Sequence, residues 1–135
     1  MWINGFQDYG LLAVRVVLGV IFLYHGLPKL TKTGAVSRGM GMSSAFIFVL
    51  GLAEVIGGLG ALLGWYTDVA SILLIFVMLG ALYYKMVVWH VPFSAMDKMG
   101  WEFDLMILAA AVALLLIGPG TISITSWMQG PVLAT

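Results

Sequence analysis

The chain has no cysteine and very little charge. Of its 135 residues, six are Lys or Arg and six are Asp or Glu, so the formal net charge is zero. The lack of cysteine excludes disulfides, thiol chemistry and cysteine-ligated zinc or iron–sulfur clusters. A balanced charge gives no basis for nucleic-acid binding, which depends on an excess of positive charge. Charged residues make up 9% of the chain, against about 25% in soluble domains, which excludes an ordinary soluble protein.

Apolar residues take the place of the missing charge. They account for 62% of the chain, and the mean hydropathy is +1.09. A helix needs about 20 apolar residues to cross the hydrocarbon core of a bilayer, and four runs approach that length. The sequence therefore predicts an all-α, integral membrane four-helix bundle that forms a single domain over residues 1–135. The predicted spans lie at about 11–30, 45–64, 69–89 and 103–117.

The few basic residues are distributed unevenly along the predicted spans. Four spans place both termini on one side of the membrane, called side A here, and the two longer loops on the opposite side, side B. Side B carries Lys29, Lys32, Arg38, Lys85 and Lys98. Cytoplasmic loops carry an excess of Lys and Arg, so we predict that side B is cytoplasmic and that both termini lie outside. The predicted location is the inner or plasma membrane of the cell.

Three ionisable groups in the first two spans need partners. A charge at bilayer depth costs about 3 kcal/mol or more, so such groups usually face the bundle interior and pair. Arg15 and Lys29 share one face of the first span, and Glu54 lies near the middle of the second. A rise of 1.5 Å per residue places Arg15 and Glu54 about 9 Å apart in depth, which an arginine side chain mostly covers. We therefore predict a contact between Arg15 and Glu54, with His25 on the other side of the carboxylate.

This predicted contact has two interpretations, which the residues leave open. In the first, Arg15 and Glu54 form a structural ion pair that fixes the register of the two helices. In the second, a polar pocket between the helices binds a small polar headgroup or relays protons. The candidate ligand-binding residues are Arg15, His25, Lys29, Glu54 and Glu102.

Four glycines in the first two spans are candidates for close helix packing. Gly19 and Gly26 lie in the first span, and Gly57 and Gly58 lie in the second. Small residues let transmembrane helices approach closely. Such glycines suit packing within one chain and equally suit a homo-oligomer.

The remaining polar residues give weaker indications. His25 and His90 both lie toward side B, where two histidines could in principle ligate a haem. No sequence feature requires this, and interfacial or hydrogen-bonded histidine is the preferred interpretation. No cluster has the spacing of a metal site, so no metal is predicted. Glu102 and Asp104 open the fourth span, where acidic residues complement the helix dipole, and for Asp104 that account is preferred.

Three segments of the chain carry a family resemblance. They read RVVLGVIFLYHGLPKL, GLAEVIGGLGALLGWYTDVAS and GWEFDLMILAAAVALLLIGPGTISI, on the first span, the second span with its turn, and the fourth span. In this order they resemble the DoxX family of small membrane proteins. The motif positions that carry over are Arg15, His25, Gly26, Lys29, Glu54, Gly57, Gly58 and Glu102.

The resemblance implies a four-helix membrane bundle in a redox setting. Members resemble the small subunit of a thiosulfate:quinone oxidoreductase, and others are associated with oxidative-stress or electron-transfer complexes. The expected function is therefore a small subunit of a quinone-linked oxidoreductase or oxidative-stress complex, with a pocket around Glu54. No tightly bound cofactor is predicted. A quinone is the implied ligand, and the bilayer and a partner subunit are the implied partners.

The alternative is a protein without chemistry of its own. It would be a structural or assembly subunit, or a small-molecule or lipid binding or transport protein. In that case the contact between Arg15 and Glu54 would be purely structural. Whether the chain is itself an enzyme stays open at this point.

Overall fold

The computed structural model describes residues 6–130, and the two ends of the predicted domain lie outside that range. The described residues form six α-helices and one π-helical turn, and they contain no strand, so the all-α prediction is confirmed. In chain order the elements are α1 (Gln7–Thr31), α2 (Thr33–Met40), α3 (Ser44–Leu63), α4 (Thr67–Tyr83), the π turn (Tyr84–Val88), α5 (Trp101–Ile117) and α6 (Ile124–Gln129).

Three of these helices are long and apolar enough to cross a membrane. They are α1 with 25 residues, α3 with 20, and α4 continued through the π turn, with 22. The protein is therefore a membrane protein, as predicted. Helix α5 has 17 residues, at the lower end of the range that spanning helices use.

The predicted four-helix bundle is not confirmed by the number of helices, which is six within residues 6–130. The described residues contain two further helices, α2 in the predicted loop between the first two spans and α6 after the Gly-Pro-Gly segment. They have eight and six residues, so a search for apolar runs of about 20 residues does not detect them. Helix α1 also starts at Gln7, before the predicted boundary, because polar residues form its first turn.

Helix α3 carries clear signals at both of its ends. Before its first turn, the side chain of Ser43 accepts a hydrogen bond from the Phe46 amide, as an N-cap does. After its last turn, Gly64 adopts a left-handed conformation with φ of 66°. Its N–H bonds the Ala61 carbonyl, and the next amide bonds the Gly60 carbonyl. This glycine cap ends the helix and turns the chain directly into α4.

The helices pack in chain order, with α1 on α3, α3 on α4 and α4 on α5, and α1 meets α5 over a smaller area. Glycines bring α1 and α3 very close. A Cβ atom added to Gly19 would lie 2.6 Å from the Leu62 Cβ, and one added to Gly26 would lie 2.9 Å from the Glu54 Cβ. Gly58 faces the same interface. The buried core between the helices is apolar and comprises Leu18, Phe22, Ala61, Leu74, Val77, Met78, Ile107, Ala111 and Leu114.

Helices α3 and α4 are close near the short turn that joins them. A Cβ atom added to Gly57 would lie 2.5 Å from the Leu74 Cδ2 atom. One added to Gly60 would lie 2.7 Å from the Ala70 Cβ atom. Both contacts lie in the half of the bundle toward side A, so the two helices have no room for a side chain between them there.

Candidate functional site

Arg15 lies at the side A end of the bundle and is only 2% exposed. Its Nε donates to the Ala61 carbonyl at 2.9 Å, and its Nη2 donates to the Leu62 carbonyl at 3.0 Å. Its Nη1 donates to the carbonyls of Pro119 and Ile122, at 2.9 and 2.6 Å. Carbonyls in the last turn of a helix lack the regular partner four residues on, and the guanidinium donates to two of them; the Ala61 carbonyl also accepts from the Gly64 amide. Arg15 thus ties α1 to the end of α3 and to the segment after α5.

The predicted contact between Arg15 and Glu54 is wrong. In an α-helix the Cα–Cβ bond tilts toward the N-terminus. The Arg15 side chain therefore extends toward side A, where α1 begins, and away from Glu54. The Lys29 side chain tilts the same way, but from the other end of α1, so it reaches toward the middle of the helix. Glu54 tilts toward the start of α3, at side B, and meets Lys29.

Within residues 6–130, Lys29 and Glu54 form the first of two ion pairs inside the bundle. The Lys29 Nζ atom lies 2.7 Å from the Glu54 Oε2 atom, and both residues are buried. The same ammonium group donates to the His25 carbonyl at 3.0 Å. Two charges removed from water are tolerated when they neutralise each other and their other hydrogen-bonding groups are satisfied. The first pair thus joins α1 to α3 across the interface where glycines bring the helices together.

Lys85 and Asp104 form the second ion pair, with 2.5 Å between Nζ and Oδ2. Lys85 lies in the π turn, and Asp104 lies in the first turn of α5. Sequence reasoning missed this pair, because it assigned Asp104 to the helix dipole and Lys85 to the positive charge of side B. The available signal was their position: each lies about one turn inside the side B end of two consecutive, antiparallel spans.

Both ion pairs line one cavity, of about 650 Å³, between α1, α3, α4 and α5 in the half of the bundle toward side B. His25 also lines it, and the His25 Nδ1 atom lies 2.9 Å from the Ile21 carbonyl oxygen. The rest of the lining is almost entirely apolar or aromatic, and it includes Phe22, Met40, Met42, Phe46, Leu50, Ala53, Met78, Trp89, Met99 and Phe103.

The structure brings three of the five predicted site residues to this cavity: His25, Lys29 and Glu54. Arg15 lies at the opposite end of the bundle. Glu102 is exposed and does not line the cavity; its Oε1 atom accepts a hydrogen bond from the Ser94 hydroxyl at 2.8 Å. Two residues along a helix correspond to a rotation of about 200°, so Glu102 points away from the cavity that Asp104 lines.

The composition of the cavity restricts what it can bind. Small-molecule sites are mostly apolar, with a few polar groups that orient the ligand, and their volumes run from about 300 to 1,000 Å³. The cavity, with two ammonium groups and two carboxylates in an apolar wall, fits an amphipathic molecule with a polar ring or headgroup. Within residues 6–130, no three His, Asp or Glu side chains are grouped closely enough to hold a metal ion.

The fold and the cavity define a class: a small helical membrane protein with a charged cavity between its spans. The family model described as DoxX matches residues 10–90, more than half of the chain. The chain belongs to the DoxX family, which confirms the resemblance identified from the three segments.

A protein of Bacillus subtilis (strain 168), named "Putative oxidoreductase CatD", is 30% identical to the chain over 114 residues. The match covers 82% of this chain and 81% of that protein. No solved structure matches the chain.

Proposed function

We propose that this chain is the membrane subunit of a quinone-linked oxidoreductase and holds the quinone ring in the cavity. The observation that carries the proposal is the placement of two lysine–carboxylate pairs in the wall of one largely apolar cavity. Membership of the DoxX family and the name of the Bacillus subtilis relative support a redox role.

The ion pairs match the chemistry of a quinone ring. An ammonium group has three donors. Lys29 uses one for Glu54 and one for the His25 carbonyl, and Lys85 uses one for Asp104. Each lysine therefore keeps a donor for one of the two quinone carbonyls.

The carboxylates supply the proton chemistry. When a quinol is oxidised, both O–H bonds break, two electrons leave and two protons are released. Glu54 and Asp104 each accept one proton as general bases. The two electrons pass to a redox group of the partner oxidoreductase subunit, and quinone reduction reverses every one of these steps.

We further propose that α5 is the fourth span, which makes α1, α3, α4 and α5 a four-helix membrane bundle. Asp104 near its start pairs with Lys85 toward side B, and Pro119 just after its end meets Arg15 toward side A. Its 17 residues rise about 25 Å, close to the thickness of the hydrocarbon core. The membrane is then the plasma membrane, with both termini outside the cell and side B facing the cytoplasm.

The orientation is testable because the chain has no cysteine of its own. A single cysteine introduced at Arg38 in α2, or at Trp127 in α6, gives one label site toward each side. A membrane-impermeant maleimide applied to intact cells should label Trp127→Cys and spare Arg38→Cys until the membrane is permeabilised. The opposite pattern would reverse the orientation.

The function is tested by ligand binding to purified protein in lipid nanodiscs. Titration with decylubiquinol should show saturable binding to the wild-type protein. Glu54→Gln should weaken binding about tenfold or more, since the quinol O–H donates to the Glu54 carboxylate and hydrogen bonds with charged groups contribute about 1.5–3 kcal/mol. Glu102→Gln is the matched control, because it removes a carboxylate outside the cavity, and it should bind as the wild type does. Absence of saturable binding to the wild-type protein would refute the proposal.

A further inference from the structure

The interface between α3 and α4 opens toward side B. Near their connecting turn, Gly57 and Gly60 bring the two helices together. Toward side B, the same face of α3 continues at helical spacing through Ala53, Leu50 and Phe46, and these residues line the cavity. Phe46 is 46% exposed, although it belongs to the face that packs on α4 elsewhere. The cavity therefore reaches the outer surface between the two helices.

Gly80 lies on the α4 side of this opening. It lines the cavity and is exposed, as is Phe76 one turn earlier. A Cβ atom added to Gly80 would meet no other atom within 4 Å. Glycine is a poor helix former, and the glycines of α3 offset that by close packing. Gly80 has no such packing partner. The absence of a side chain at this position instead leaves the rim of the cavity open.

The volume of the cavity exceeds what a ring alone requires. A cavity of about 150 Å³ accommodates one benzene ring. The cavity here has about 650 Å³, and its charged groups belong to two ion pairs while the opening is lined by apolar side chains. A ligand that fills it therefore has a polar ring and an apolar extension that leads toward the gap between α3 and α4.

We propose that the ligand is a quinone with an apolar chain, and that the chain leaves the cavity past Gly80, between α3 and α4, into the lipid. This inference rests on the proposed function, and it adds the path by which the apolar chain of the ligand reaches the lipid. The ring enters sideways from the bilayer, so its charged binding groups never need to be open to water.

The test compares two probes on three proteins in nanodiscs. The probes are decylubiquinone, whose ring carries an apolar chain, and ubiquinone-0, the same ring without the chain. The proteins are the wild type, Gly80→Leu and the matched control Gly10→Leu. Gly10 is also an exposed glycine inside a helix with no atom within 4 Å of an added Cβ, but it does not line the cavity. Thermal unfolding of all three proteins shows whether each is folded.

Gly80→Leu should weaken the binding of decylubiquinone about tenfold or more, because a leucine side chain and the apolar chain compete for the same space. Its affinity for ubiquinone-0 should stay within about twofold of the wild type, as should both affinities of Gly10→Leu. Equal effects of Gly80→Leu on the two probes would overturn the inference and leave the proposed function standing. If neither probe binds the wild-type protein, the proposed function fails and this inference fails with it.

Discussion

The two ends of the helix bundle bury charge in different ways. Toward side A, the Arg15 guanidinium is surrounded by four backbone carbonyls, and glycines bring α3 and α4 together. Toward side B, two lysine–carboxylate pairs stand in the wall of a cavity. A cation whose donors are bonded to backbone carbonyls stabilises the fold. An ion pair that lines a cavity keeps hydrogen-bond donors and acceptors for a ligand. Side A is therefore the structural end of the bundle, and side B is the candidate binding end.

The largest effect on stability is expected at side A. Arg15→Met removes the guanidinium bonds to four carbonyls; the Ala61 carbonyl keeps its bond from the Gly64 amide, and those of Leu62, Pro119 and Ile122 lose their guanidinium donor. We expect the free energy of unfolding to fall by roughly 5 kcal/mol, since each unsatisfied buried polar group costs about 1–3 kcal/mol. The measurement is a titration from mild detergent into sodium dodecyl sulfate. Arg38→Met, at an exposed arginine, is the matched control. Equal losses in both variants would contradict the structural role of Arg15.

A smaller loss is expected when the first ion pair is broken. Lys29→Met leaves the buried Glu54 carboxylate without its partner, which should cost about 3 kcal/mol. The double variant Lys29→Met/Glu54→Gln removes both charges and should recover most of that loss in the same titration. It should still fail to bind decylubiquinone. Recovery of stability together with normal quinone binding would show that the first pair is not part of the proposed site.

The second pair is expected to contribute less to stability. The Lys85 and Asp104 side chains are 18% and 9% exposed, against 10% and 7% for Lys29 and Glu54. More contact with the surroundings lowers the cost of an unpaired charge, so Lys85→Met should cost about 2 kcal/mol. Quinone affinity should fall as much as it does for Lys29→Met. A change in stability with unaltered quinone affinity would show that the second pair has only a structural role.

The smallest effect is expected for alanine substitutions of two glycines. Gly80→Ala places a methyl group in open space and should stabilise the protein by about 0.5–1 kcal/mol, the difference in helix propensity. Gly57→Ala places the same group 2.5 Å from the Leu74 Cδ2 atom and should destabilise it. Thermal unfolding compares the two. A loss of stability in Gly80→Ala would show that the gap between α3 and α4 is closed.

Much of the fold is predictable from the sequence, because long apolar runs determine where helices cross a bilayer. Spacing along the spans also placed His25, Lys29 and Glu54 near one another. The partner of Glu54 was missed because depth alone was compared, without the tilt of side chains toward the start of each helix. Arg15 and Lys29 lie on one face of α1, and only this direction decides which of them reaches the carboxylate.

The second ion pair was missed for a different reason. Asp104 and Lys85 each had an adequate local account, one at a helix start and one in a positive-inside pattern. Their contact depends on how α4 and α5 pack, and no local sequence pattern predicts that packing. The short helices α2 and α6 were missed because their few residues form no apolar run.

The bonds of Arg15 also have a consequence for synthesis. The carbonyls of Pro119 and Ile122 are 104 and 107 residues away from it in the chain. Arg15 enters the membrane early, while two of its four acceptors do not yet exist. Until Pro119 and Ile122 leave the ribosome, the buried cation has only the carbonyls at the end of α3 as acceptors. Assembly of the bundle is therefore completed only after residues 119 to 122 are made, and a chain that stops after α5 lacks two of the four acceptors of Arg15.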